Sequence, residues 1–153
     1  MTPLNAPINF IEETWIALNP FSAHQIDIWG MRFATVEHAY QWSKFSDENI
    51  RKLIFDSKSP LDAWKIAQQY KSKVIPNFSK DMVMESLFRA KMEQHIDVIE
   101  TLKLSGSREL LKNVLTDNYW GVGSDGSGQN KMGKLWMKLR EEIIQNVTEN
   151  SQN

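Results

Sequence analysis

The chain has 153 residues, the length of one typical domain of about 100 to 200 residues. Hydrophobic residues make up 41% and charged residues 24%, which is ordinary for a globular protein and excludes a disordered, collagen-like or coiled-coil chain. The formal net charge of -1 gives no general attraction to nucleic-acid backbones, and the absence of cysteine excludes disulfides and sulfur-ligated zinc.

The first part of the chain predicts short β elements. Residues 8–11 form a strand candidate near the start of the sequence. Residues 26–28 and 31–33 flank Trp29-Gly30 in the manner of a tight hairpin. We therefore expect a small N-terminal hairpin or sheet.

Most of the remaining chain is predicted to be helical. Thr35 and Ser46 are suitable N-caps, and Ser59-Pro60-Leu61-Asp62 combines an N-cap with a proline at the first helical position and an acid at the third. Ser79 begins a longer pattern that we expect to break near His95 and to end at a Ser-Gly pair. The predicted helices cover residues 36–45, 49–55, 60–70, 79–104 and 132–146.

Together these elements predict a mainly α fold with a small β-hairpin or sheet, of the α+β class. Residues 110–115 are apolar enough to form a further strand. We expect one compact domain over residues 1–147, followed by a frayed polar tail at residues 148–153.

A polar stripe runs along the helix predicted after Thr35. Glu37, Gln41 and Lys44 fall within an arc of about 60 degrees at the helical period. Apolar side chains cover most of the remaining surface, namely Val36, Ala39, Tyr40, Trp42 and Phe45. Two interpretations stay open: a surface helix whose charges happen to align, or a buried helix whose carboxylate and amine line a cleft.

Five of the seven glycines lie close together before the last predicted helix. They are Gly121, Gly123, Gly126, Gly128 and Gly133. Backbone N–H groups at glycines and at a helix N-terminus suit phosphate binding, although the spacing matches neither a Walker loop nor a dinucleotide-binding fold. A phosphate-binding loop and a flexible surface loop are therefore both consistent with the sequence.

The histidines and the lysines outside the stripe do not predict a site. His24, His38 and His95 are scattered without metal-ligand spacing, and no nucleophile elbow supports a hydrolase triad. The sequence shows neither a basic, apolar leader nor an apolar run of about 18 residues, so we expect a cytoplasmic protein that does not cross a membrane. Four lysines are interpreted as a solvated face, with a phosphorylated or nucleic-acid ligand as the alternative contact: Lys65, Lys71, Lys73 and Lys80.

Four separated motifs follow one another between residues 19 and 144. They are Gly30-x-x-Phe33-x-Thr35-x-Glu37-His38-x-x-Gln41-x-x-Lys44-Phe45, Arg89-Ala90-Lys91 with Glu93-Gln94-His95, Asp117-x-x-Trp120-Gly121-x-Gly123, and Gly128-x-Asn130-x-x-Gly133-x-x-x-Met137-x-Leu139-Arg140. In this order and at these intervals they resemble the motifs of the NADAR family of YbiA-like N-glycosidases.

The resemblance implies a cytoplasmic, mainly helical domain that hydrolyses the N-glycosidic bond at the anomeric carbon of a ribose. Family members cleave early phosphorylated intermediates of riboflavin synthesis, and others remove ADP-ribose from guanine in nucleic acid. The implied partner is therefore a small phosphorylated ribosyl or ADP-ribosyl substrate, or ADP-ribosylated nucleic acid. The resemblance implies no cofactor, no metal and no membrane.

The resemblance also implies the site residues. The motif glutamate, lysine and aspartate fall on Glu37, Lys44 and Asp117, which are the predicted catalytic residues. The two acids would divide the stabilisation of an oxocarbenium-like transition state and the protonation of the departing base, while Lys44 would neutralise a phosphate, tune Glu37 or act as an amine nucleophile. The predicted substrate-binding residues are Phe21, Tyr40, Gln41, Trp120, Gly121, Gly123 and Asn130.

The sequence departs from the family pattern at two places. Many relatives carry a tryptophan in the linker where this chain has Val74-Ile75-Pro76-Asn77-Phe78, and a Ser-Asn-Phe where it has Asn19-Pro20-Phe21. The linker therefore lacks the tryptophan that would stack on the base. The earlier segment lacks one side-chain amide that would contact the ligand. The alternative functions are a non-catalytic module that binds ADP-ribose or a related nucleotide, and a structural or partner-binding protein.

Overall fold

The computed structural model describes residues 5–152, with side chains for residues 5–146. The chain divides into two compact units, which we name by their place in the sequence. The terminal unit consists of the residues up to Asn19 together with those from Asp97 onward, and the central unit is Pro20–Ile96. Within residues 5–152, no helix is both long and apolar enough to cross a bilayer.

The fold is mainly helical, with short strands that pair two by two. The strands are β1 (Ile8–Asn9), β2 (Ile26–Ile28), β3 (Met31–Phe33) and β4 (Leu110–Leu111). The α-helices are α1 (Val36–Ser43), α2 (Glu48–Phe55), α3 (Pro60–Gln69), α4 (Lys80–Gln94), α5 (Ile96–Leu104) and α6 (Lys131–Gln152), and 3-10 helices cover Glu13–Leu18 and Lys71–Lys73. The predicted α+β class with a small hairpin is confirmed.

In the central unit, β2 and β3 form the predicted hairpin, with Ile26 opposite Phe33. The two turn residues, Trp29 and Gly30, have φ values of 54° and 76°, as a two-residue type I′ turn requires. A positive φ is unusual for a bulky residue. The ring of Trp29 stacks on Trp42, with centroids 5.9 Å apart and planes 17° from parallel, and this packing offsets the backbone strain.

In the central unit, α1, α2 and α3 begin with a side-chain cap, whereas α4 begins after Ser79 without one from any described residue. The hydroxyls of Thr35 and Ser59 accept bonds from backbone N–H groups three residues later, as predicted. The prediction that Ser46 caps α2 is wrong. Asp47 caps this helix, because its carboxylate accepts bonds from two backbone N–H groups of the first turn.

α1 lies inside the central unit and contacts α2, α3 and α4. Its apolar side chains explain this position, since Val36 and Ala39 are fully buried. One hydrophobic cluster beside it contains Phe45, Ile50, Ile54, Ala63 and Ala67. α4 ends and α5 begins on either side of His95, where the sequence predicts a break.

In the terminal unit, β1 pairs in parallel with β4, and α6 packs against β4. The predicted strand over residues 110–115 is wrong beyond Leu111. The next two backbone N–H groups donate to the side-chain oxygens of Asn130 and Asn9, so they are not available to a neighbouring strand. Two side-chain amides therefore end β4.

α6 is longer than predicted, because it continues past Asn146 to Gln152. The sequence after Gly133 contains neither glycine nor proline that would stop it. Trp136 anchors the helix, since its fully buried indole donates from Nε1 to the carbonyl oxygen of Leu18 over 2.7 Å. The predicted fraying of residues 148–153 concerns side chains outside the described residues and stays a prediction.

Candidate active site

The polar stripe of α1 lies in the interior of the central unit. Glu37 is 6% exposed and Gln41 is 2% exposed, while Lys44, just after the helix, is half-buried. The interpretation of α1 as a surface helix with aligned charges is therefore wrong. The backbone N–H of Glu37 donates to the carbonyl oxygen of Pro20 over 3.2 Å, which ties the start of α1 to the segment carrying Phe21.

Gln41 is hydrogen-bonded to Glu37, one helical turn earlier. Its Nε2 donates to Oε1 of Glu37 over 2.7 Å. The other amide atom, Oε1 of Gln41, is buried and has no hydrogen-bond partner among the residues that the structure describes. Because buried polar atoms in native proteins are nearly always paired, this oxygen is a candidate for contact with a bound ligand.

Lys44 is held in a partly desolvated position at the end of the stripe. Burial lowers the pKa of Lys44, the carboxylate of Glu37 opposes this shift, and the nearby charge of Lys80 adds to it. The Nζ atom lies 4.8 Å from the centroid of the Tyr40 ring, a cation–π distance. A lysine of this kind has a larger neutral fraction than an exposed one, so both a cationic and a nucleophilic role are chemically available.

The aromatic residues predicted to bind substrate differ in exposure. Tyr40 is 4% exposed, and its ring packs against Phe78 with centroids 5.8 Å apart. Phe78, from the linker that lacks the tryptophan of many relatives, is therefore an internal neighbour of α1. Phe21 is 39% exposed and offers accessible ring surface. Binding of substrate by Tyr40 and Phe21 stays a prediction.

In the terminal unit, Asp117 begins the glycine-rich segment and is bonded through both carboxylate oxygens. Oδ2 accepts from Nζ of Lys112 over 2.6 Å, and Oδ1 accepts from the backbone N–H groups of Trp120 and Tyr119 over 2.9 and 3.2 Å. Burial raises the pKa of Asp117, but the bond and charge of Lys112 and the two N–H groups outweigh it, so the pKa lies below its ordinary value. Asp117 is thus an anion at neutral pH.

Two glycines of this segment allow backbone to approach backbone. A Cβ atom on Gly121 would lie 2.7 Å from the carbonyl oxygen of Lys112, and one on Gly128 would lie 2.5 Å from that of Gly121. The segment is also closed by backbone hydrogen bonds, from Gly128 to Val122 and from Asn130 to Gly121. Close packing accounts for these glycines, and the interpretation as a flexible surface loop is wrong for this part of it.

Asn130 connects the same segment to β4. It is 5% exposed, its Nδ2 donates to the carbonyl oxygen of Leu110, and its Oδ1 accepts from the backbone N–H of Lys112. The half-buried Trp120 packs edge-on against Tyr119 with ring centroids 4.9 Å apart. The observed contacts give Asn130 a structural role, and the predicted substrate contacts of Asn130 and Trp120 stay predictions.

Residues 9–144 match the model of the NADAR domain family. The chain belongs to the NADAR family. The resemblance indicated by the four sequence motifs is confirmed.

Similar NADAR proteins include enzymes and one solved structure. N-glycosidase YbiA of Escherichia coli K12 is 34% identical over 125 residues, which cover 80% of this chain and 78% of YbiA. The NMR structure of E. coli YbiA matches with a TM-score of 0.82 at 30% identity, covering 97% of this chain and 90% of that one. An N-glycosidase of Nostoc punctiforme is 34% identical over 128 residues, or 80% of this chain and 82% of that protein. A riboflavin biosynthesis protein of Vibrio vulnificus is 27% identical over 151 residues, or 96% of this chain and 41% of that protein.

The predicted NADAR site residues fall into two groups along the chain. The central unit holds Glu37 and Lys44 with Phe21, Tyr40 and Gln41. The terminal unit holds Asp117 with Trp120, Gly121, Gly123 and Asn130. Glu37, Gln41 and Lys44 share the stripe that the sequence predicted, and the convergence of Asp117 on the same sugar stays a prediction.

Lys91 belongs to a NADAR motif, but the sequence suggested no role for it. It is fully buried on α4, and its Nζ donates to Oγ of Ser22 over 2.7 Å. Ser22 also bonds to Nδ1 of His24 over 2.7 Å. Lys91 therefore anchors the segment whose Pro20 carbonyl accepts from Glu37. Its position four residues after a buried leucine on the same helix was the only signal available.

Two histidines that are distant in the sequence meet in the central unit. The rings of His24 and His95 have centroids 4.8 Å apart at an interplanar angle of 85°, and Nε2 of His95 lies 2.6 Å from the carbonyl oxygen of Gln25. Their spacing in the sequence did not predict this contact, which depends on the convergence of distant segments. His38 is buried elsewhere in α1, and burial lowers its pKa while a bond to the backbone of Ser57 opposes the shift.

Proposed function

We propose that the chain is an N-glycosidase that hydrolyses the N-glycosidic bond of a phosphorylated ribosyl or ADP-ribosyl substrate. N-glycosidase is the name of the relatives that share 34% of their residues with this chain over 80% of its length. The name of the Vibrio relative, a riboflavin biosynthesis protein, supports ribosylamino-pyrimidine intermediates of that synthesis as one substrate class. ADP-ribosylated guanine is the other proposed class.

The buried carboxylate of Glu37 is the observation that carries this proposal. Cleavage of a ribosyl C–N bond passes through an oxocarbenium-like transition state, in which positive charge develops at C1 and the ring oxygen. A carboxylate that is shielded from water interacts strongly with that charge, and one such contact lowers a barrier by about 3 to 4 kcal/mol. Glu37 has this environment, and Gln41 fixes its orientation.

The proposed reaction is a hydrolysis at C1. The C1–N bond breaks, and its electron pair leaves with the nitrogen of the base, which takes up a proton from solvent water. The oxygen of a water molecule bonds to C1 and gives a proton to a carboxylate. We assign charge stabilisation at C1 to Glu37 because its amide contact with Gln41 holds one carboxylate oxygen in place.

We propose that Lys44 pairs with a phosphate or with Glu37, and we rank this role above covalent catalysis. The Coulombic coupling between Lys44 and Glu37 supports pairing. The lowered pKa of Lys44 supports the covalent alternative, in which its neutral amine attacks C1 of the ring-opened ribosylamine, displaces the base as a free amine and leaves the sugar on Lys44 as an imine. Water then hydrolyses this imine and releases the sugar. Borohydride added during turnover would reduce such an imine and leave a sugar bound to Lys44, which mass spectrometry detects.

Asp117 is proposed as the second acidic group of the reaction. Because its pKa is lowered, it would act as an anion and not as the acid that protonates the base. Its partners Lys112 and Trp120 would set its orientation. This role makes Asp117 an electrostatic contributor, whose removal weakens catalysis less than the removal of Glu37.

The experiment that tests the function measures base release over time. Purified protein is incubated with a phosphorylated ribosylamino-pyrimidine and, separately, with ADP-ribosylated guanosine, and free base and reducing sugar are quantified together. We expect both products to appear in equal amounts from at least one substrate. Saturable binding of ADP-ribose without either product would instead indicate the non-catalytic nucleotide-binding module.

A further inference from the structure

The amide oxygen of Gln41 lacks the hydrogen bond that a buried acceptor needs. The side chain is 2% exposed, and no described residue donates to its Oε1. A buried amide oxygen without a partner is costly, and native proteins contain few of them. The same amide contacts the proposed catalytic carboxylate, so the unsatisfied atom lies directly beside the proposed reaction centre.

The orientation of this amide is fixed by chemistry. Ionised Glu37 carries only acceptor atoms, so Gln41 must present its NH2 group to Glu37, as the 2.7 Å contact shows. If the side-chain amide of Gln41 were rotated by 180°, its oxygen would face the carboxylate of Glu37, and two hydrogen-bond acceptors would lie against each other. Oε1 is therefore the atom left for a ligand, and the ligand group that it can bind must be a hydrogen-bond donor.

The position of Oε1 limits which donor it can meet. Gln41 lies four residues after Glu37, on the same face of α1, and Oε1 belongs to the same amide as the Nε2 atom that contacts the carboxylate. A ligand group bound at the carboxylate would therefore lie close to Oε1. In the proposed reaction that group is C1 of the ribose. A ribosylamino-pyrimidine carries two donors close to C1, the N–H of the glycosidic nitrogen and the hydroxyl on C2. The N–H leaves with the base as the C1–N bond breaks, so the hydroxyl on C2 is the donor that stays beside C1.

We infer that Oε1 of Gln41 accepts a hydrogen bond from the 2-hydroxyl of the ribosyl group, and that Gln41 thereby selects ribosyl over 2-deoxyribosyl substrates. This inference rests on the proposed function. A site that hydrogen-bonds a substrate hydroxyl discriminates strongly against an analogue without it, because its own buried group is then left unpaired. Bonds to the 2-hydroxyl also strengthen as an oxocarbenium-like transition state forms.

The kinetic test compares one phosphorylated ribosylamino-pyrimidine with its 2-deoxyribosyl counterpart. Gln41→Met is the variant, since methionine is unbranched, of similar length and without an acceptor of this kind. We expect the ratio of kcat/KM for the ribosyl over the 2-deoxyribosyl substrate to fall about 10- to 100-fold in this variant. The two glycosidic bonds differ in intrinsic reactivity. This difference cancels when the ratio for Gln41→Met is compared with the ratio for the wild-type protein, because both substrates are measured with both proteins.

The control variant is Gln68→Met, an exposed glutamine on α3, which is expected to keep the wild-type ratio. If Gln41 only supported the fold, both substrates would lose the same factor and the ratio would not change. An unchanged ratio in folded Gln41→Met with base release intact overturns the inference and leaves the proposed function standing.

A binding measurement separates failure of the inference from failure of the function. Ribose 5-phosphate and 2-deoxyribose 5-phosphate are titrated into wild-type protein, and the side-chain amide signals of Gln41 are followed by 15N NMR. A larger shift and tighter binding with ribose 5-phosphate support the inference, even if no base is released from any substrate. Equal responses to the two sugars, including no response to either, overturn it without requiring a folded variant.

Discussion

The two predicted acids of this NADAR protein occupy opposite chemical situations. Both oxygens of Asp117 are engaged, one by the ammonium of Lys112 and the other by two backbone N–H groups. Glu37 is contacted by Gln41, whose own oxygen is left without a partner in the described part of the chain. The hydrogen-bond network around Asp117 engages both carboxylate oxygens. The network around Glu37 lacks one hydrogen-bond donor, the one that Oε1 of Gln41 would accept from, among the described residues.

This difference predicts which substitutions affect stability and which affect catalysis. A completed network of charge and backbone contacts stabilises the turn that contains it, so we expect changes there to appear first in the free energy of unfolding. An incomplete buried network costs stability until a ligand completes it, so we expect changes on α1 to appear first in turnover. The glycine-rich segment and the stripe of α1 should therefore respond to substitution in different observables.

The largest effect is expected from Glu37→Gln. The change is nearly isosteric and removes only the negative charge, so base release should fall about 1000-fold while the melting temperature changes little. Stopped assays of free base, together with circular dichroism melting, measure both quantities. Glu100→Gln, at an exposed position of α5, is the matched control and should keep full activity. Wild-type turnover by the folded Glu37→Gln protein would remove Glu37 from the mechanism.

Gly133→Ala tests the opposite side of the comparison. Gly133 lies in the first turn of α6, where alanine would ordinarily be more favourable by about 1 kcal/mol. A Cβ atom there would overlap the carbonyl oxygen of Leu110, so we expect a loss of about 3 kcal/mol in the free energy of unfolding, measured in urea.

Gly126→Ala is the control for this substitution. A Cβ atom on Gly126 would meet nothing within 4 Å, and only its φ of 80° opposes a side chain. The expected cost is about 1 kcal/mol. A Gly133→Ala protein as stable as Gly126→Ala would contradict the packing of α6 against β4.

Asp117→Asn should lower stability by about 1 kcal/mol at pH 7, with a characteristic pH dependence. Because the pKa of Asp117 is below its ordinary value of 3.8 in the folded state, its stabilisation is present above that value and is lost as the pH falls through the folded pKa. The two proteins should converge in urea denaturation as the pH falls below the folded pKa of Asp117. Lys112→Met should lose part of this pH dependence, because the two backbone N–H groups still bond to Asp117. A difference from wild type that is constant at all pH values would contradict the ion pair.

The smallest effect is expected from Lys44→Met, which should increase stability by about 0.5 kcal/mol near pH 7 and still reduce base release. The pKa of Lys44 is lowered in the folded state, so holding its charge costs stability below that pKa, and the cost disappears as the pH rises toward the ordinary value of 10.5. Thermal melts at pH 7 and pH 10 measure this, with exposed Lys65→Met as control. A destabilised Lys44→Met protein would show that pairing with Glu37 outweighs desolvation.

Local signals predicted those parts of the fold that local interactions determine. The hairpin at Trp29-Gly30, the helix start at Ser59 and the break at His95 each depend on residues adjacent in the sequence. The amphipathic pattern of α1 likewise placed Glu37, Gln41 and Lys44 on one stripe. Whether this stripe is exposed or buried was left open, because burial depends on the elements that pack around α1.

Contacts between distant segments account for other features that the sequence did not predict. The apolar run after Leu110 stops being a strand because the amides of Asn9 and Asn130 take its N–H groups, and these residues lie far away in the sequence. The meeting of His24 with His95 depends on the same kind of long-range packing. The unsatisfied oxygen of Gln41 could not be foreseen either, since burial and missing partners are properties of the folded chain.

The bond between the Trp136 indole and the Leu18 carbonyl joins the two ends of the sequence within the terminal unit. A buried, bonded indole proton exchanges for deuterium only during an opening event. Its indole NMR line would therefore report the detachment of the 3-10 helix Glu13–Leu18 from α6. This exchange measurement does not depend on substrate chemistry. It would show which variants weaken the contact between Trp136 and Leu18 before any assay of turnover is made.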